Sequence, residues 1–304
     1  MAEHAAPIGV LSYHRVAEPT VDPWGLAVSP ANFASQLRTL GSSGRFVSLD
    51  RMLGGRRRRL GGIDRFAVTF DDGYADNLRA ALPVLERYDV PATVFVSTGF
   101  LDRDSFWWDV LDEAVLDQER PIGALVEMGR RVGLLTRADA SAARDEIQSE
   151  LHAALAMRAP ADVEPLVDEL VAATASPPSP SGRPLTTDEL VELAAHPLIS
   201  IGVHTVHHVR LATAGVDHAQ RELTVARDHV DRLIGRAPRA LAYPHGDATP
   251  TIAALAASAG FTCAVTTDHR WVDPGDDPML LPRLTVADVP GPTLRLRLES
   301  ARRR

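Results

Sequence analysis

Lysine is absent from this chain, and all 32 basic residues are arginine. That excludes a lysine Schiff base, a lysine nucleophile and a phosphate-binding loop ending in Gly-Lys-Ser/Thr. The abundance of Arg and Ala matches the codon usage of a GC-rich genome and needs no functional cause. Cysteine is nearly as scarce. The single Cys263 cannot form an internal disulfide and, inside an apolar segment, is expected to be a buried apolar residue. No apolar window approaches the roughly 20 residues of a membrane-spanning helix. Met1-Ala2-Glu3-His4 carries neither a basic region nor a long apolar segment, so no stable membrane insertion is expected and a cytoplasmic location is. Positive charge is confined to local patches, Arg56-Arg57-Arg58-Arg59 and Arg302-Arg303-Arg304, on a chain of formal net charge −8. Solvated segments are the default for both patches, and the net charge argues against nucleic-acid binding.

Apolar material is ample: 45% of 304 residues is enough for one α/β barrel with an insertion or for two ordinary domains. Short apolar runs at 8–13, 66–70, 92–96, 198–203, 239–243 and 262–266 read as strands. Helical patterns alternate with them, starting at Ser29-Pro30, running through 78–85, starting at Thr187-Asp188-Glu189 and at Asp217, and ending at Gly260. Repeated strand–helix units imply parallel strands with helices outside.

Two polar clusters sit where such runs stop. Thr69-Phe70-Asp71-Asp72-Gly73-Tyr74 closes one run, and His204-Thr205-Val206-His207-His208 closes another. Either alone is weak: paired Asp is common at strand ends, and two His four residues apart arise by chance. Together they supply two adjacent carboxylates and two imidazoles, enough to hold a divalent metal and keep one acid free for proton transfer. In barrels of parallel strands, the edge where strands end is where chemistry is placed.

These residues resemble the polysaccharide deacetylases that share the NodB homology domain, carbohydrate esterase family 4. Thr69 to Gly73 matches the family's Thr-Phe-Asp-Asp-Gly motif and His204 to His208 its His-Ser/Thr-x-x-His motif. Ala242-Tyr243-Pro244-His245-Gly246 is similar to a Tyr-Pro-x-Gly variant of the third motif, and Leu11-Ser12-Tyr13-His14-Arg15-Val16 and Leu281-Pro282-Arg283-Leu284 to flanking segments of one branch. The resemblance implies an irregular (β/α)7 barrel over residues 1–304. It also implies a divalent metal, zinc first and cobalt, nickel or manganese otherwise, on Asp72, His204 and His208. Asp71 would be the general base, and the backbone N–H of His245 would stabilise the oxyanion. The implied reaction removes acetyl from an N-acetylated amino sugar: a poly- or oligosaccharide, a nucleotide sugar or a small glycoside. The alternatives are hydrolysis of another C–N bond, such as a formamide or cyclic amide, and a non-catalytic carbohydrate-binding protein.

The chain departs from the better-known members in having Ala242 where their third motif carries an Arg that orients the base. Arg283 is the candidate for the missing cation beside Asp71, and His14 or His269 for the acid that protonates the leaving amine. His207, between the two ligands, is expected to point away from them. His4, His152, His218 and His229 are expected to be solvated. Residues 103–183 interrupt the alternation with a helical insertion that opens on Phe106-Trp107-Trp108-Asp109 and closes on Ser176-Pro177-Pro178-Ser179-Pro180-Ser181-Gly182. Packing on the barrel is favoured for the Trp pair over stacking on a sugar ring. Neither the sugar nor the oligomeric state is encoded in these motifs.

Overall fold

The computed structural model describes residues 8–54, 64–139, 141–174 and 182–302. Arg56 to Arg59, Arg303, Arg304, Met1 to His4 and all of the Pro/Ser-rich segment except Gly182 lie outside the described residues. The chain divides into two compact units, one of Met1–Glu18, Gly25–Asp102 and Leu185–Arg304, the other of Pro19–Trp24 and Arg103–Pro184.

The first unit is a curled parallel sheet. Its strands are β1 (Ile8–Tyr13), β2 (Arg15–Val16), β3 (Ala27–Val28), β4 (Gly44–Phe46), β5 (Asp64–Phe70), β6 (Ala92–Val96), β7 (Ile199–Val203), β8 (Ala240–Ala242), β9 (Cys263–Val265) and β10 (Leu284–Thr285). Seven staves run in the order β10-β1-β5-β6-β7-β8-β9, β4 adds to β5 from the side, and β2 pairs β3 separately. A parallel bridge between Val265 and Leu281 ties β9 to the segment leading into β10, so the sheet curls back on itself. This is the irregular (β/α)7 barrel that the motifs implied.

Both faces of the strands are covered, which is why they read as continuous apolar runs and not as alternating ones. Side chains nevertheless alternate in direction. Val10, Ala67, Phe95, Ala240, Ala242, Cys263 and Val265 form one buried cluster along the sheet's inner face. Leu11, Phe66, Val68, Phe70, Val94 and Val96 belong to another, together with Phe33, Leu37 and Leu40 of the helix Pro30–Ser43 and Leu223 of the helix Val216–Ile234.

The helices begin and end where local chemistry dictates. Ser29 caps Pro30–Ser43, and Thr186 and Glu189 form a capping box at Thr187–Ala195. Gly235, at φ 69°, closes Val216–Ile234 in the left-handed region. The expected helix at 78–85 is instead a π-helical turn, Asn77–Ala81, followed by Leu82–Tyr88. Such a turn leaves no mark on hydrophobic periodicity. Strands β2, β3, β4 and β10, of two or three residues each, are too short for periodicity to reveal.

Among the described residues, the second unit holds four helices, Trp107–Leu116, Gly123–Arg131, Arg144–Leu155 and Pro160–Ala172, around its own core of Leu111, Val115, Leu125, Ile147, Leu151 and Val167. Trp108 is buried and stacks on Phe106 with centroids 4.6 Å apart. Trp107 stacks on His152 at 5.1 Å, and Trp24 approaches the same imidazole at 4.9 Å. His152 is therefore a packed residue and not a solvated one, because two indoles offer it flat apolar surface. Inside this unit Asp112, only 4% exposed, accepts a 2.5 Å hydrogen bond from Gln148 Nε2. Burial pushes its carboxyl up to about 6. No helix among the described residues is long and apolar enough to cross a membrane.

Candidate active site

Alternation along β5 sends Ala67, Thr69 and Asp71 to the inner face of the sheet. Asp71 continues the strand pairing, its N–H donating to Tyr13 O at 3.0 Å. A further extended residue would point outward. Asp72 instead adopts φ 71° and Gly73 φ 87°, which ends the strand and keeps the second carboxylate at the site. On β7 the same alternation brings His204 inward, and its N–H is held by Val96 O at 2.9 Å. Thr205 and His208, at φ 65° and 56°, then fold the chain into a turn, with Thr205 Oγ1 accepting the His208 N–H at 2.9 Å. Left-handed φ is costly for residues other than glycine and persists where surrounding contacts enforce it.

The two adjacent acids are given opposite partners. Asp71, 2% exposed, receives a two-pronged ion pair from Arg283, 1% exposed: Nη1 to Oδ1 at 2.7 Å and Nη2 to Oδ2 at 2.6 Å. The guanidinium is itself fixed by donating to Thr266 O at 2.9 Å and Thr69 Oγ1 at 3.3 Å. Burial alone would raise the Asp71 carboxyl. The Arg283 charge, with His204 and His14 adding, instead holds it well below the usual carboxylate range. Asp72 faces imidazoles: its Oδ1 lies 3.5 Å from His204 Nε2 and 3.5 Å from His208 Nε2.

The donor atoms of Asp72, His204 and His208 lie within 4.8 Å of one another. Ligands about 2.0–2.1 Å from a tetrahedral zinc stand roughly 3.3–3.4 Å apart, so the two 3.5 Å separations suit such an ion with little adjustment. His204 Nδ1 is 2.8 Å from Ala242 O and serves as its donor, which leaves the Nε2 lone pair facing Asp72. Burial pushes the His204 imidazole below its ordinary range, toward the neutral form that ligates. Carboxylate and imidazoles therefore fit a divalent cation.

The remaining candidates fall at different distances. His14 follows β1 and places Nε2 3.9 Å from Asp71 Oδ2, with its side chain 23% exposed. Its backbone carbonyl is held by Asn77 Nδ2 at 2.9 Å, a bond made from the π-helical turn. His269 is exposed and accepts the Thr285 N–H at 3.1 Å. No hydrogen bond or ion pair among the described residues joins it to Asp71, Asp72, His204 or His208. His245 occupies the turn Pro244–Gly246 at φ 59°, and its ring lies 4.7 Å from that of His208. The glycine after it has φ 68°, and any Cβ there would strike Thr267 Oγ1 and backbone, so only glycine lets the third motif lie this close. His207 points away from the cluster, its Nδ1 2.7 Å from Glu222 Oε1. His218 Nε2 lies 3.4 Å from the same carboxylate, so it too has a partner where a solvated side chain was expected.

The model of the family "Polysaccharide deacetylase" matches residues 61–138 and 165–264, more than half of the chain. The chain belongs to that family. Solved structures similar to this chain include Streptococcus pyogenes deacetylase PplD in complex with acetate. It is 21% identical, with a TM-score of 0.62, over 97% of this chain and 99% of that one. IcaB from Ammonifex degensii is 20% identical, with a TM-score of 0.63, over 97% and 98%. BC0361, a polysaccharide deacetylase from Bacillus cereus, is 16% identical, with a TM-score of 0.62, over 96% and 68%. No curated protein matches this chain in sequence.

Proposed function

We propose that this protein hydrolyses the N-acetyl amide of an amino sugar and releases acetate, with a divalent cation on Asp72, His204 and His208 and with Asp71 as general base. One observation carries the reading: two neighbouring carboxylates are split between a guanidinium and a pair of imidazoles. Environments that differ this much give chemically identical groups different roles. Ionised by Arg283, Asp71 is ready to take a proton from the attacking water, and the fork of hydrogen bonds fixes the direction of its oxygens. A cation bound by the other three residues supplies Lewis-acid polarisation of the acetyl carbonyl and a more acidic water. The backbone N–H of His245 is assigned to the oxyanion, and His14 Nε2 to protonation of the departing sugar amine. The helical segment 103–183 is read as an insertion in a single catalytic chain of 304 residues.

The test is release of acetate, formate and ammonia from N-acetylated oligosaccharides, nucleotide sugars, small glycosides and simple amides, with zinc and after chelation. Acetate that disappears on chelation and returns with zinc is expected. Formate or ammonia in its place would move the reaction to another C–N bond. No product from a chain that binds one equivalent of metal would leave a carbohydrate-binding role. Asp71→Asn is expected to lower turnover by about 100-fold or more at unchanged zinc affinity.

A further inference from the structure

The turn between the two imidazole ligands rests on a carboxylate from another element. On the helix Val216–Ile234, Glu222 lies on the buried face with Ala219, Leu223, Ala226 and Val230, and is itself 3% exposed. A buried carboxylate on an apolar stripe is costly unless its oxygens are occupied. Here they are filled by the turn: Oε2 accepts the N–H groups of Val206 and His207, both at 2.9 Å, and Oε1 lies 2.7 Å from His207 Nδ1. His218 Nε2, one helical turn back, adds a contact at 3.4 Å. Three of these four contacts go to Val206 and His207, so the carboxylate serves mainly the 204–208 turn.

The two ligands depend on that turn unequally. His204 is anchored by the sheet, through Val96 O at its N–H and Ala242 O at Nδ1. His208 lies further along the turn, at φ 56° and after Thr205 at φ 65°. Val206 and His207 are the peptides that Glu222 grips between them. We propose that Glu222 is a positioning residue that holds the 204–208 turn in its strained form and thereby sets His208 for the cation. This rests on the metal reading above.

Two substitutions separate positioning from charge and from general stability. In Glu222→Gln the amide oxygen still accepts both peptide N–H groups, and the amide nitrogen can donate to His207 Nδ1. In Glu222→Asp the charge stays but the oxygens withdraw by one methylene from the turn. Zinc affinity measured by chelator competition, and the visible spectrum of the cobalt-loaded protein, report the site without turnover. Glu222→Asp is expected to weaken zinc by about ten- to a hundredfold, the range for lost outer hydrogen bonds to ligands, and to alter the cobalt bands. Glu222→Gln is expected to retain wild-type affinity and spectrum. Wild-type affinity and spectrum in Glu222→Asp would overturn the inference, as would a Gln variant weaker than the Asp one. If Glu222→Asp fails to fold, weakened zinc in a folded Glu222→Gln overturns it alone. A wild-type chain that binds no divalent ion would remove the metal reading and this inference with it.

Discussion

Asp71 and Asp72 differ by one peptide bond and by everything around them. The first depends on Arg283, and burying a carboxylate this deeply without a counter-charge is strongly unfavourable. Arg283→Ala is expected to lower turnover by at least about tenfold. It is also expected to destabilise the fold by about 3–5 kcal/mol, the usual result of stranding one partner of a buried pair. The pH profile supplies the sharper check. With Arg283 present, the Asp71 carboxyl titrates below its ordinary range, so its contribution to stability is complete above the unfolded-state value of about 3.9 and is lost as pH falls through the folded one. Without Arg283, burial dominates and the sign reverses. The acid limb of kcat/KM moves up toward neutrality, and a limb unmoved in Arg283→Ala would detach Asp71 from the rate. Lysine at this position is not an equivalent, since one ammonium cannot make two parallel bonds.

At the scale of elements, the sheet does two things: its alternation points Thr69, Asp71 and His204 inward, and its strand ends release the chain into turns that carry Asp72, His208 and His245. The strands were legible because β1 and β6 are long enough to read as continuous apolar runs, and their ends coincide with the expected 8–13 and 92–96. The turns were not. Left-handed φ at Asp72, Thr205, His208 and His245 has no glycine to announce it. Asn77, which holds the backbone of His14, sits in a π-helical turn that looks like ordinary helix in the sequence. Glu222 left a readable trace, an acid on the apolar stripe of its helix, whose meaning appears only when the 204–208 turn is laid against it. The helical unit has its own buried acid. Asp112, raised to about 6 by burial, binds its proton more tightly folded than unfolded, so stability falls as pH rises from the unfolded-state value of about 3.9 through 6. Asp112→Asn is expected to remove that slope. It is also expected to stabilise the unit by up to about 3 kcal/mol at neutral pH, since each tenfold change in proton affinity is worth about 1.4 kcal/mol. Thermal unfolding of both proteins at pH 5 and pH 8 checks it, and parallel midpoints would refute it.

At the scale of the whole molecule, the helical segment leaves the barrel unit and returns to it at one place. Asp102 N–H donates to Leu185 O at 3.2 Å, and the Asp102 carboxylate accepts from Thr187 N and Oγ1 at 2.8 and 2.5 Å. This clasp belongs wholly to the barrel unit. Replacing residues 104–181 by a short linker is therefore expected to leave zinc stoichiometry intact and to change kcat/KM across a panel of acetylated sugars. Loss of soluble protein on deletion would make those helices part of the barrel's own stability. The pair at the centre of the site spans far more of the chain than this: Asp71 and Arg283 are 212 residues apart in sequence and joined through neighbours of β1. During synthesis the acid emerges 212 residues ahead of its counter-charge. A nascent chain stalled before residue 283 carries all three candidate metal ligands and yet lacks the guanidinium that the proposed base depends on, so on this reading the two halves of the site are completed at different moments of the protein's life.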